Sequence, residues 1–432
     1  MNTPHLSRTS LRSIALLLVF VVFGAMSAAQ AQDDLGGGSG IFRPKNPETT
    51  SRRRATGTRP TTPRPTTPRT GGTGGGNRTS NLGGTGRTAP PTPEMMERIE
   101  DALDEGNEAR DARKYAEAEQ FYQTALQLNM REWRASYGLG NVYTDQQRWE
   151  EAEKAYRQSI ASNQQNADLQ IALSYVLVQP RAGGAGGAQR LTAAEAAARR
   201  AIVLQPTSAI AHDRLGVALE ERGLTAAETE GAYRRAVELD PQFAVAYVHL
   251  ARLLRKNNRA SEAEPYYRKA IELAQDAPTL VLIAAALQSE QRWNESEPVL
   301  SRALSLDGRN PGALFLMGRL RTVQKRFDDA EPLLKSAIEA SPRSFAPYSV
   351  LGSAYLRTNR LEDAEKIYNR AVDVATAGER KGLAGAFGFG GIGDEYMKAG
   401  RRADAVRAYQ RALQLDPTNA ELQTKLANAK QG

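Results

Sequence analysis

No cysteine occurs among the 432 residues. That excludes disulfide staples, thiol nucleophiles and cysteine-ligated metals, and it is compatible with an oxidising compartment. Long apolar runs are equally scarce. The one clear stretch, Ile14–Met26, falls well short of the roughly 20 residues that a membrane-spanning helix needs. Excess charge is missing from most of the chain, since residues 94–432 hold 45 basic and 46 acidic side chains. The first 93 residues therefore carry +9, more than the whole formal net charge of +8. The nearly neutral remainder lacks the basic footprint of a nucleic-acid-binding surface.

Residues 1–31 have the pattern of an export signal. Arg8 and Arg12 precede the apolar run, and Ala29 and Ala31 flank Gln30 as a small-x-small cleavage site. The expected localisation is exported, periplasmic or secreted, with an uncleaved membrane anchor as the alternative. No transmembrane helix is expected after signal cleavage. From 32 to 93 the composition shifts to Gly, Thr, Pro and Arg, with ten basic and three acidic side chains. Such a segment cannot bury a core, and it is expected to be a disordered basic linker. Its plain role is a spacer. Its sharper role is a polycation, with Arg52, Arg53 and Arg54 at its centre, that adheres to an anionic envelope polymer or lipid head groups.

What the chain has in abundance is repetition. Phe345–Gly378, 34 residues long, reads as two amphipathic helices joined by the polar turn Thr358, Asn359 and Arg360. Tyr348, Leu351, Gly352 and Tyr355 share one face of the first helix; Ala364, Tyr368 and Ala371 share one face of the second. The Ala371 position recurs as Ala125, Ser159, Ala201, Ala236, Ala270, Ala303, Ala337 and Ala412. Successive spacings are 34, 42, 35, 34, 33, 34, 34 and 41. The Tyr368 position is also Tyr122, Tyr156, Tyr233, Tyr267 and Tyr409, with Ala198, Leu300 and Leu334 in the remaining copies. The Gly352 position holds Gly106, Gly140, Ser174, Gly216, Ala251, Ala284, Gly318 and Gly393. Small residues at these points let helices approach closely, and the larger one fills the space between.

This register resembles the tetratricopeptide repeat (TPR) family, whose helix–turn–helix units carry these small and aromatic positions. The resemblance implies an all-α helical-repeat solenoid, a right-handed superhelix of helix–turn–helix units, after a disordered N-terminal tail. Nine units are expected over about 99–419, with a capping helix at 420–430. Two irregularities stand out. Pro180–Arg190 lengthens the turn of the third unit and is expected to bulge as a mobile loop. A Gly-rich stretch from Glu379 to Gly393 lengthens the joint before the ninth unit.

Candidate chemistry is thin. Gly388, Gly390, Gly391 and Gly393 match GxGxxG, but no strand precedes them and Gly393 falls on the repeat's own small position. His212 and His249 occupy core-side positions of consecutive units, without the further ligands that zinc requires. Trp149, Trp293, Phe327, Tyr115 and Leu361 open second helices at one repeat position, where packing is their role. No carboxylate pair stands apart as an acid/base couple. An enzyme is not expected, nor a cofactor, a metal or a specific nucleic acid.

Recognition remains. In TPR proteins the concave face commonly binds extended peptides through fixed positions of the first helices. Carried onto this sequence, the resemblance places Asn107, Arg134, Tyr137 and Asn141 in the groove of the first two units. The Asn pair is similar to part of the arrangement that holds a peptide backbone in some TPR domains. Leu103 and Tyr137 stand where that arrangement has lysine. Further along come Arg252, Arg255, Phe315, Arg319 and Arg357, a positive strip suited to acidic segments, with Glu220 and Glu221 placed to flank or neutralise it. Exchanging Arg252 and Arg319 for glutamate is expected to leave folding intact while removing partner capture. The expected function is a noncatalytic protein–protein interaction scaffold of the bacterial envelope that binds extended or acidic segments. The alternative is a structural tether gripping the envelope through its basic linker.

Overall fold

The computed structural model describes residues 46–48, 92–179, 187–224 and 226–431. The export signal, almost all of the linker and residues 180–186 lie outside the described residues.

Helices account for nearly all of the described chain, and they come in antiparallel pairs. The first three hairpins are α1 (Pro93–Asp111) with α2 (Tyr115–Leu128), α3 (Trp133–Asp145) with α4 (Trp149–Ser162), and α5 (Ala167–Val178) with α6 (Gly187–Leu204). The next three are α7 (Ala209–Glu221) with α8 (Ala226–Leu239), α9 (Ala244–Lys256) with α10 (Ala260–Leu273), and α11 (Ala277–Ser289) with α12 (Trp293–Leu306). Then follow α13 (Pro311–Val323) with α14 (Phe327–Ala340), and α15 (Phe345–Arg357) with α16 (Leu361–Val374). A short extra helix α17 (Ala377–Ala384) precedes the ninth hairpin, α18 (Phe389–Lys398) with α19 (Arg402–Leu415), and α20 (Ala420–Gln431) ends the array.

The periodic residues do what their spacing implies. All nine residues of the Ala371 series are fully buried, Ser159 included. The space left by the glycines is taken by the tyrosine of the same hairpin, or by Leu334 in the case of Gly318. A Cβ built on Gly352 would lie 2.2 Å from the Tyr368 ring, and one on Gly140 would lie 2.4 Å from Tyr156. No real side chain tolerates such a contact, so the Gly–Tyr pairs are one packing unit split between two helices. Ser159 adds a hydrogen bond from its hydroxyl to the Trp133 carbonyl at 2.7 Å.

Turns between paired helices also repeat. The residue before the second helix's N-cap has positive φ in seven hairpins, among them Gln147, Asn258, Gln291, Asn359 and Gly400. This left-handed residue closes the first helix and reverses the chain. An arginine follows it at 148, 259, 292, 326, 360 and 401. Each of these bonds forward to an acid three residues on, as in Arg360 to Asp363 at 2.8 Å. Most also reach back to the preceding hairpin. Arg259 meets Glu230 at 2.6 Å, and Arg292 meets Glu264 at 2.9 Å. Arg148, Arg360 and Arg401 clasp Glu119, Glu331 and Glu362 likewise. These clasps are partly exposed, so each adds only modestly to stability. Their geometry nevertheless ties the orientation of one hairpin to the next.

First helices of most neighbouring hairpins touch one another, whereas second helices of neighbours stay farther apart. The stack therefore curves with the first helices on its inner side. The Gly-rich joint before the ninth hairpin folds as α17, whose N-terminus carries a reciprocal capping box between Thr376 and Glu379. Sequence periodicity misses this helix because it belongs to no repeat. Likewise, the end of the third hairpin's insertion is not loop, since Gly187–Arg190 are the first turn of α6.

Candidate peptide-binding groove

The inner surface of the first two hairpins is built from α1 and α3. Tyr122 on α2 lies over Gly106, and its hydroxyl donates to Asn107 Oδ1 at 2.8 Å. That bond turns the Asn107 amide outward, where its Nδ2 donates to the Pro47 carbonyl at 3.0 Å. Arg134 is fixed from both sides. Its guanidinium grips both oxygens of Glu100 at 2.7 and 3.1 Å, and its Nε donates to Glu132 at 2.8 Å. One nitrogen of the same guanidinium reaches the Glu48 carbonyl at 3.1 Å. Arg110, almost wholly buried, forms a two-toothed pair with Asp145 at 2.8 and 3.1 Å and donates to Asn46 Oδ1 at 2.9 Å. The Asn46 Nδ2 in turn donates to Asp111 at 2.9 Å.

A three-residue piece of the linker, Asn46–Glu48, is thus seated on the inner face. Two of its carbonyls are bonded by Asn107 and Arg134, while its Asn46 carboxamide is met by a donor and an acceptor. Pro47 is buried and the Glu48 side chain is exposed. Sequence reasoning named Asn107 and Arg134 but not Arg110, Asp111 or the linker segment.

The other expected groove residues need correction. Asn141 is fully buried and accepts from the Tyr156 hydroxyl at 2.9 Å, so it repeats the Asn107–Tyr122 bond inside the stack. Tyr137 is also buried, its ring centre 5.8 Å from that of Tyr156, and burial raises its phenol pKa. Phe315 is 3% exposed and belongs to the central core. Arg319, 8% exposed, lies 5.3 Å over the Trp293 ring, so its cation is engaged in packing. Of the expected strip only Arg357 stands exposed, on the last turn of α15.

Arg252 and Arg255 do lie on one helix, but glutamates neutralise both. Arg252 meets Glu220 at 2.8 Å across the hairpin boundary, and Lys256 meets the same carboxylate at 3.4 Å. Arg255 bonds Glu290 at 2.6 Å and Glu264 at 3.0 Å. Burial would raise the Glu220 pKa, yet Arg252 and Lys256 overcome it and hold the carboxyl down at about 2. Glu221 moves the other way, upward, through burial and the charge of Glu220. A positive strip is not what this face offers. Reversing Arg252 would replace the nearest cation of Glu220 with a second carboxylate and cost stability, contrary to the expectation that folding stays intact.

A second buried group lies between the fourth and fifth hairpins. Asp213 receives Arg214 at 2.5 Å and faces His249 Nδ1 at 2.6 Å, all three buried. Burial pushes the Asp213 pKa up, but His249 and Arg214 outweigh it and bring it to about 2. The group is a structural tie across the hairpin boundary. Among the described residues no set of three His, Asp or Glu side chains is arranged to hold a metal ion. The glycines of the GxGxxG stretch are likewise structural. Cβ atoms on Gly388 and Gly391 would lie 2.0 and 1.9 Å from the carbonyl oxygens of Leu383 and Ala386, and one on Gly393 would strike Tyr409.

These two carboxylates set a pH dependence. Both have folded pKa values below the ordinary range of about 4, so the stability they contribute is complete above about pH 4.5. It is lost as pH falls toward 2. Thermal melts at pH 5, 4 and 3 are expected to show a falling midpoint, with a shallower fall in Glu220→Gln. A midpoint that is level from pH 4.5 to 2.5 would contradict this.

No curated protein matches the chain. Among solved structures, a thermophilic TPR protein of Thermus thermophilus is 23% identical, covering 44% of this chain and 99% of its own, with a TM-score of 0.38. PilF of Pseudomonas aeruginosa is 17% identical, covering 50% and 94% respectively, with a TM-score of 0.38. The APC/C hetero-tetramer Cut9–Hcn1 is 12% identical over 78% of this chain and 90% of the matched one, with a TM-score of 0.40. Models described as tetratricopeptide repeat match residues 103–167, 184–244 and 281–345, together with 232–264 and 323–380. A further model, described as TPR repeat, matches 393–432. These matches run along the array from its first hairpin to its last, and the chain belongs to the tetratricopeptide repeat family.

Proposed function

We propose that the chain is a noncatalytic protein–protein interaction scaffold that holds extended peptide segments on the inner face of its first two hairpins. The observation that carries this reading is the pair of main-chain carbonyls, Pro47 and Glu48, accepting from Asn107 and Arg134. Both donors are fixed beforehand by other bonds, Asn107 by Tyr122 and Arg134 by Glu100 and Glu132. Donors held in place lose little freedom when they bind, which favours recognition of an extended backbone. The signal-like pattern of residues 1–31 supports a place in the cell envelope, and the Arg-rich linker supports an added grip on anionic polymer there.

Asn107→Asp isolates the backbone contact. Aspartate keeps an acceptor for the Tyr122 hydroxyl and removes the donor to the peptide carbonyl. In the full chain carrying Asn46→Ala, which unseats the chain's own segment, a fluorescein-labelled peptide of residues 43–50, RPKNPETT, is expected to bind saturably, and about tenfold more weakly once Asn107→Asp is added, a loss of about 1.4 kcal/mol. Equal binding to both would place peptides elsewhere and overturn the reading.

A further inference from the structure

We infer that the first two hairpins form a site specific for Asn-Pro, and that its resident ligand is the chain's own Asn46–Glu48, which closes the groove against outside peptides. The inference rests on the peptide-binding reading above and adds to it a sequence preference and an internal competitor.

The preference follows from what meets each residue. The Asn46 carboxamide is read at both ends, its oxygen by Arg110 and its nitrogen by Asp111, each at 2.9 Å. An aspartate offers no donor to Asp111, and an alanine offers neither contact. Arg110 cannot swing away, because two of its nitrogens are committed to Asp145 in a nearly solvent-free setting. Pro47 is buried and carries no N–H that would need a partner there. At Glu48 only the main chain is used, and the side chain points to water. The motif read is therefore Asn-Pro followed by any residue.

Residues 49–91 join this segment covalently to α1. A tethered ligand competes at an effective concentration of roughly millimolar order. A free peptide must outcompete it, so the groove admits only partners that carry the same motif at high affinity or high local density.

The test uses the full chain and the labelled RPKNPETT peptide. Asn46→Ala, which disables the resident segment, is expected to tighten peptide binding about tenfold relative to the unaltered chain. Replacing the peptide's own asparagine with alanine is expected to abolish binding to both. If the peptide binds both chains equally, self-occupation is overturned while the peptide-binding reading stands. Failure to bind either chain removes that reading as well. Equal binding of the asparagine- and alanine-containing peptides overturns the Asn-Pro preference. Sedimentation provides the remaining check. A dimer that dissociates on Asn46→Ala would assign the segment to a second copy and overturn the intramolecular assignment.

Discussion

Replacing Ala364 with arginine is expected to unfold the C-terminal end of the array and leave the N-terminal hairpins folded. Ala364 has no exposed surface and sits where α16 meets α15. A guanidinium there would be forced among the packed side chains of the hydrophobic core. Burial of an unpaired charge combined with overpacking belongs to the exceptional class of substitutions costing more than about 4 kcal/mol. Repeat arrays couple mainly through nearest neighbours, so the damage stays local. Amide exchange is the measurement of choice. Protection is expected to disappear from about Phe345 to the C-terminus and to persist through the first hairpins. An unaltered melting profile and unaltered protection would show that Ala364 is not in the packed register described above.

Asp213→Ala carries the second large effect. The aspartate is the shared acceptor for Arg214 and His249, and all three are buried. Removing it takes from the buried guanidinium the carboxylate oxygen that receives two of its nitrogens. Breaking such a pair typically costs about 3–5 kcal/mol. Because Asp213 lies on α7 and His249 on α9, the loss weakens the boundary between the fourth and fifth hairpins rather than either alone. Urea unfolding of the variant is expected to split into two transitions, where the unaltered array shows greater cooperativity across this joint. A single transition at an unchanged midpoint would mean that the group contributes nothing to coupling.

Local spacing made the hairpins legible. Glycine at 352 and tyrosine at 368 lie one hairpin turn apart, and the close contact between them depends only on that hairpin. Trp149, Trp293, Phe327, Tyr115 and Leu361 start second helices as their shared position implies. The groove was less legible because its surface depends on what the neighbouring hairpin contributes. Arg252 looks like a free cation until Glu220, 32 positions earlier, is placed beside it. Asn107 and Asn141 occupy equivalent positions, yet one bonds the linker segment and the other is fully buried beneath the surface. The inter-hairpin clasps did leave a trace that could have been read. Arginine followed by an acid three residues later recurs at 148, 259, 292, 326, 360 and 401. The seat of Asn46 left none, since a contact 64 positions away between a biased segment and a helix has no period.

The most direct measurement is the distance between the linker segment and the array in solution. The absence of cysteine allows nitroxide labels at Glu48→Cys, whose side chain is exposed, and at Thr124→Cys on the exposed side of α2. Pulsed dipolar spectroscopy is expected to give one narrow distance distribution that broadens when Asn46→Ala is added. A broad distribution that is the same with and without Asn46 would contradict the seat of the segment and the peptide site inferred from it.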